Sequence, residues 1–190
     1  MVPEAPLEET EQGKAVAGPG WYVLNLRDVR WWYRGHGFET GLSGRGDFPQ
    51  LGVGVTVLQP GEPMTRYHWE TDQEDFLILA GEGIAIVENE ERPVKQWDLV
   101  HCPPGTGHAI VGAGERGCVV FGVGSRERHT YVDENGERRG RDDWGAYSVS
   151  AAAIRHGAGV TEETLDAEVA YAGLPGPDPM HYREGWLPGF

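Results

Sequence analysis

Cysteine is nearly absent from this chain of 190 residues: Cys102 and Cys118 are too few for a disulfide framework. Both lie at or in apolar, strand-like runs, where reduced and buried thiols are common, and this suits a cytoplasmic protein. Positive charge is also scarce. Sixteen Lys and Arg stand against thirty Asp and Glu, a formal charge of −14. Such a surface repels nucleic-acid phosphates and anionic membranes, so neither is expected as a partner. The longest compact apolar run, Phe76 to Ala80, falls far short of the roughly 20 residues that span a bilayer. The first twenty residues carry Glu4, Glu8, Glu9 and Glu11 and lack the basic and apolar regions of a signal peptide. Helical periodicity is missing between residues 50 and 125. No Ser-His-Asp order, phosphate loop, dinucleotide fingerprint or fused DNA-binding domain is visible.

Glycine and proline are abundant instead, at 29 and 13 residues, and point to short strands joined by tight turns. Turn signals recur every ~8–12 residues after position 50, the spacing of a sandwich or barrel. Residues 1–20 read as a disordered or extended acidic tail, and 21–50 as an N-terminal extension packing on a barrel formed by 51–125. Residues 126–190 read as a C-terminal extension with short helices. Within the extension, Trp31-Trp32-Tyr33 suits an edge strand, a packing cluster or a pocket wall, and five glycines make Gly35–Gly46 a loop. In the barrel, Gly52 and Gly54 alternate with bulky residues, as in a strand packed closely on one face. Glu74–Ala80 and Ile84–Glu88 read as a hairpin around Gly81-Glu82-Gly83, and Ala109–Val111 and Cys118–Val123 as separate strands. Further on, Asp133–Asp143 reads as a solvated loop. Ser150 and Thr161 are candidate N-caps of two helices, and the apolar ending Trp186, Leu187 and Phe190 is expected to pack on the barrel or on a neighbour.

The side chains that carry chemistry cluster in two segments, Gly61–Gly81 and Pro103–His108. Strand residues two apart share a face, so His68 and Glu70 point one way. A short turn then starts the next strand at Glu74, with Phe76, Ile78 and Ala80 on the same face. The turn at Pro103-Pro104-Gly105 delivers His108. Two imidazoles and two carboxylates from three strands form a feasible donor set for a first-row divalent ion. His101 and Cys102 lack further donors nearby, and His36, His129, His156 and His181 stand alone, as surface or packing residues do.

These segments resemble the two motifs of the cupin family. Glu74 and Gly81 keep the six-residue spacing of the first motif, and Pro103, Gly105 and His108 reproduce Pro-x-Gly-x-x-His of the second. The resemblance covers residues ~50–125 and implies an all-β, double-stranded β-helix (jelly-roll) barrel, here with a short helical C-terminal appendage. It departs where the family's second histidine is Glu70. The spacer from Gly61 to His68 is longer by one residue, and motif two lacks its opening glycine and closing asparagine. Three histidines and one carboxylate around a divalent ion carry +1, whereas two and two are neutral, which makes a weaker Lewis acid.

The resemblance implies a divalent metal ion (Mn, Fe, Zn or Ni) held by His68, Glu70, Glu74 and His108, or by His68, Glu74 and His108 with Glu70 as a catalytic base. Without metal, the glutamates pair with Arg66 or with the histidines. Two functions follow: a metal-dependent enzyme acting on a small organic molecule (dioxygenase, isomerase or decarboxylase type), or a non-catalytic small-molecule binding or sensing barrel. Cupins commonly dimerise, and the apolar tail suits a homodimer.

Overall fold

The computed structural model describes residues 1–41, 50–125, 130–132, 138–140 and 144–188. In chain order its strands begin with β1 (Leu7–Thr10), β2 (Gly13–Val16), β3 (Trp31–Tyr33), β4 (Phe38–Gly41) and β5 (Leu51–Leu58). Next come β6 (His68–Glu70), β7 (Glu74–Val87), β8 (Glu90–Lys95), β9 (Leu99–Cys102) and β10 (His108–Ser125). After β11 (Thr130–Val132), β12 (Arg138–Gly140) and β13 (Gly145–Tyr147) stand helices α1 (Ala151–Arg155) and α2 (Ala167–Ala170), then β14 (Asp178–Met180). One antiparallel sheet runs β13-β6-β10-β5-β4-β3-β14, and β7 joins it through β10 while also pairing with β8 and β9. This is an all-β barrel of the double-stranded β-helix kind. No helix among the described residues is long and apolar enough to cross a membrane.

Two continuous strands, β7 and β10, form the frame, where four shorter ones were expected. They pair from His108↔Val87 to Gly124↔Glu74, with a register shift between Ala113 and Cys118. Gly81 and Gly83 make no hairpin. They let the long strands bend from one half of the barrel to the other in tight contact. A Cβ on Gly81 (φ +76°) would lie 2.0 Å from the Gly117 carbonyl oxygen, and one on Gly117 (φ +71°) 1.8 Å from that of Leu58. Only glycine fits such a crossing. The hairpin falls later, at Glu88-Asn89, where both φ values are positive (50° and 65°), as a two-residue type I′ turn requires.

The interior packs Leu58, Phe76, Ile78, Ile110, Cys118 and Val120, with Cys102 and Ala85. Phe76 and Ile78 follow Glu74 inward as alternation predicts. Ala80 does not: Ala80 pairs with Val119 and Ile78 with Val120, so Leu79 is an extra residue, and Leu79 and Ala80 both pack on the outer face. A bulge of this kind resets the parity of everything after it.

Both ends of the chain clad the barrel. Trp31 is fully buried outside the sheet with Val55, Val57 and Val119, under Tyr182, Trp186 and Leu187 of the C-terminal tail. Trp186 and Leu187 thus pack on their own barrel, Phe190 lies outside the described residues, and β3 is covered by β14 and is no edge. On the opposite outer face α1 lays Ala152 and Ala153 against Ile86, Ala109 and Val111. Ser150 caps α1 as expected, its Oγ accepting from the Ala153 amide. Thr161 caps nothing, because Thr164 exchanges two backbone hydrogen bonds with Tyr147 and holds that stretch extended. The second helix starts later, behind Asp166, whose Oδ1 accepts from the Glu168 amide.

Two further readings change. Residues 1–20, expected as a disordered or extended tail, contain the β1–β2 hairpin, with Ala5 and Val16 buried. Part of the expected Gly35–Gly46 loop is β4, which pairs with β3 and β5; positions 42–46 lie outside the described residues. The 133–143 stretch is described only at β12, which pairs with β11.

Candidate metal centre

Three strand ends bring the side chains together. His68 opens β6, Glu74 opens β7 and His108 opens β10; His68 and His108 are cross-strand neighbours. The turn before His108 is built by sequence: Thr106 N–H donates to the Pro103 carbonyl, Pro104 fixes φ at the second position and Gly105 takes φ +84° at the third, a type II turn. Gly105 N–H also donates to the Glu70 carbonyl, and Gly107 N–H to the Glu88 carboxylate, so the turn is tied to the end of β6 and to the β7–β8 hairpin.

Both imidazoles are held in the same way. His68 Nδ1 lies 2.7 Å from the Arg66 carbonyl oxygen, and His108 Nδ1 3.0 Å from that of Thr106. A carbonyl only accepts, so each Nδ1 carries the proton and each Nε2 points to the centre. There His68 Nε2 is 3.4 Å from Glu70 Oε1 and 3.7 Å from Glu74 Oε2, and His108 Nε2 is 3.0 Å from Glu74 Oε2. Donor atoms of His68, Glu74 and His108 all lie within 4.8 Å of one another. Among the described residues, His108 Nε2 and Glu74 Oε2, though close, make no aligned hydrogen bond. Buried polar atoms left in this state call for another partner. Atoms each about 2.1 Å from one ion stand roughly 3–4 Å apart, so the set fits a divalent metal.

Charge points the same way. Burial by itself lowers the pKa of His68, but the nearby Glu70 and Glu74 carboxylates outweigh it and push the value up to about 10. Burial opposes protonation of His108 too, yet contacts with Cys102 and Glu74 raise it to about 9 against repulsion from His68. Glu74 pays a desolvation cost, but the two histidines hold its carboxyl well below the usual carboxylate range. The centre therefore favours positive charge at the two Nε2 positions.

Glu70 stands beside His68, outside the mutually close trio, and lines a cavity of about 230 Å³ together with Glu39, Thr40, Thr56, Met64, Glu74 and Phe76. Gly52 and Gly54 of β5, directly across from Gly124 and Gly122 of β10, line it as well, so four glycines in register keep side chains out of this part of the wall. The alternating glycines of β5 front this cavity, and Gly54 also packs closely, a Cβ there lying 3.3 Å from the Thr40 carbonyl oxygen. The matching Gly-x-Gly at 122–124 was the signal that pairs with them.

The remaining expectations resolve simply. Arg66 does not meet the glutamates; its guanidinium donates to the carbonyls of Gly157, Gly159 and Ala170. His101 pairs with Asp75 on the exterior, Nδ1 to Oδ1 at 2.6 Å. His36 is buried against Tyr171 with Nδ1 on the Met64 carbonyl, and His156 faces Glu91. Trp31, Trp32 and Tyr33 do not line the cavity. His129 lies outside the described residues.

The antiparallel barrel thus gathers two histidines and a glutamate in one largely buried cluster. Residues 54–124 match the family model of the cupin domain, and this part of the chain is a cupin domain. No curated protein matches the chain. Among solved structures, a sugar phosphate isomerase of the cupin superfamily from Silicibacter pomeroyi is 21% identical over 56% of this chain and 78% of its own, with a TM-score of 0.44. An RmlC-like cupin from Shewanella frigidimarina is 18% identical over 50% and 79%, at 0.42. The DMSP lyase DddQ from Ruegeria pomeroyi is 22% identical over 54% and 53%, at 0.43.

Proposed function

We propose that the barrel binds one divalent metal ion (Mn, Fe, Zn or Ni) through His68, Glu74 and His108, and takes a small organic molecule into the adjoining cavity, where Glu70 acts as the general base. One observation carries this reading: both imidazoles are locked with Nδ1 protonated, and the inward His108 Nε2 and Glu74 Oε2 are buried without an aligned partner. A bound divalent ion supplies Lewis acidity toward a substrate oxygen. The chain supplies the rest. Phe76 and Met64 form the apolar wall that limits water, Thr40 and Thr56 offer hydroxyls to a polar ligand, and Glu70 holds a carboxylate at the cavity side of His68. Two histidines and one carboxylate would leave a bound divalent ion with a net charge of +1, and the Glu70 carboxylate beside it would serve as the base in a reaction of dioxygenase, isomerase or decarboxylase type.

Metal titrations of Glu74→Gln and Glu70→Gln test the assignment. The Glu74 variant is expected to lose affinity by more than the ~10–100-fold typical of residues behind the ligands. The Glu70 variant is expected to stay within about tenfold of wild type on the same scale while losing turnover. Equal loss in both would make Glu70 a ligand and remove it as the base. The raised pKa values of His68 and His108, which keep both imidazoles charged in the metal-free centre, favour a second reading, a non-catalytic binding barrel. Under that reading neither variant changes metal uptake, because there is none.

A further inference from the structure

His68 belongs to a strand that the cupin domain by itself barely holds. Within residues 54–124, β6 pairs with β10 only at His68↔His108. Its full ladder, Gly145↔Glu70, Ala146↔Trp69 and Tyr147↔His68, is with β13, beyond the family match. The residues before it are gripped by the same segment. Tyr67 N–H donates to the Ala158 carbonyl, and the Ser148 amide donates to the Tyr67 carbonyl. Trp144 and Tyr147 place their rings against His68, with centroids 6.2 and 5.9 Å away.

Arg66 ties these contacts together. Its Nη1 donates to the Gly157 carbonyl at 2.6 Å and to that of Gly159 at 3.4 Å, and its Nε donates to the carbonyl of Ala170, the last residue of α2. Its own amide donates to the Tyr171 hydroxyl at 3.1 Å. Carbonyls at and beyond helix ends lack helical partners, and one guanidinium, with its planar fork of donors, serves several at once. The carbonyl of this same residue accepts from His68 Nδ1. The peptide that carries this carbonyl is held at its other end by Tyr67 N–H on the Ala158 carbonyl, and the Arg66 side chain and amide hold the Cα from which it extends.

We propose that Arg66 is a positioning residue for His68, and that residues 144–171 are part of the centre because Arg66 anchors the histidine to them. The inference rests on the metal reading above for its affinity consequence, but the orientation of the ring is a property of the metal-free protein as well. Outer groups that hold a metal-binding histidine typically matter about 10–100-fold in affinity.

The test uses the full chain with Arg66→Met, Arg66→Lys and, as a milder change, Tyr171→Phe. Co²⁺ titration followed by visible absorption is combined with imidazole NMR of the metal-free proteins. Arg66→Met is expected to weaken Co²⁺ binding by about 10–100-fold and to alter the Co²⁺ spectrum, with cooperative unfolding retained. Arg66→Lys restores part of the affinity, since an ammonium can still cap one carbonyl. In metal-free Arg66→Met the His68 ring signals move more than those of His108. If Arg66→Met does not fold, Tyr171→Phe is read in its place, with the same ring-selective shift expected. Unchanged His68 signals and affinity in folded variants would overturn the proposal. If wild type takes up no Co²⁺, the metal reading fails, and the ring signals alone decide the role of Arg66: a selective His68 shift upholds it and no shift overturns it.

Discussion

The two inward Nε2 atoms set the pH behaviour of the centre. In the metal-free protein His68 and His108 have pKa values raised to about 10 and about 9, above the unfolded value of 6.5. Their stabilising contribution is fully present below pH 6.5 and is lost as pH rises through 9–10, where the folded groups deprotonate. Glu74 works the other way, contributing above the ordinary carboxylate range and losing its contribution as pH falls through its depressed value. Thermal unfolding against pH in the presence of chelator should show a decline on the alkaline side. An ion that replaces the two protons releases about two protons on binding. Its apparent affinity should therefore rise by roughly a hundredfold per pH unit between 6.5 and 9. A nearly flat dependence would mean that the ion binds elsewhere.

At the scale of elements, two glycine groups do different work. The Gly81–Gly117 crossing is steric. Gly117→Ala places Cβ against the Leu58 carbonyl at a positive φ. It should destabilise by at least the about 1–2 kcal/mol of a left-handed residue, read as a lower urea midpoint. The Gly52, Gly54, Gly122 and Gly124 wall is spatial. A Cβ on Gly122 would meet Phe76 and Met64 at 3.4–3.5 Å, an ordinary contact. Gly122→Val should then fill the cavity, keep the metal affinity within about tenfold and cut binding of a small molecule; equal loss of metal would contradict that separation. Ser150→Ala removes the α1 cap and its bond to Asn89 and should cost about 1 kcal/mol. The motif residues were legible because turn chemistry is local: Pro104-Gly105 dictates a type II turn wherever it stands. The two long strands were not. Gly81-Glu82-Gly83 is the same local signal whether the chain reverses or crosses a neighbour, and only the partner Gly117 decides.

For the whole molecule, the sequence revealed the barrel and its four polar side chains but not the packing of its termini. The alternation from Leu51 onward is a local pattern, whereas the burial of Trp31 depends on Tyr182 and Trp186, some 150 residues away. Those contacts also change the basis for expecting a homodimer, since Trp186 and Leu187 pack on this chain's own sheet. Trp31→Ala should cost about 3–5 kcal/mol, and a fall in Tm on the order of 10 °C would follow. Because Trp31 lies on the far side of the sheet from the cavity, metal stoichiometry should be unchanged in the folded variant.

The most direct test of the central claim is elemental analysis of tag-free protein prepared without chelator, beside a His108→Ala control. Near-stoichiometric Mn, Fe, Ni or Zn is expected in the wild type, and its loss in the control. A wild-type protein free of metal that also gains no thermal stability from added ions would contradict it, and the paired histidines and glutamates would then be a proton-filled polar centre.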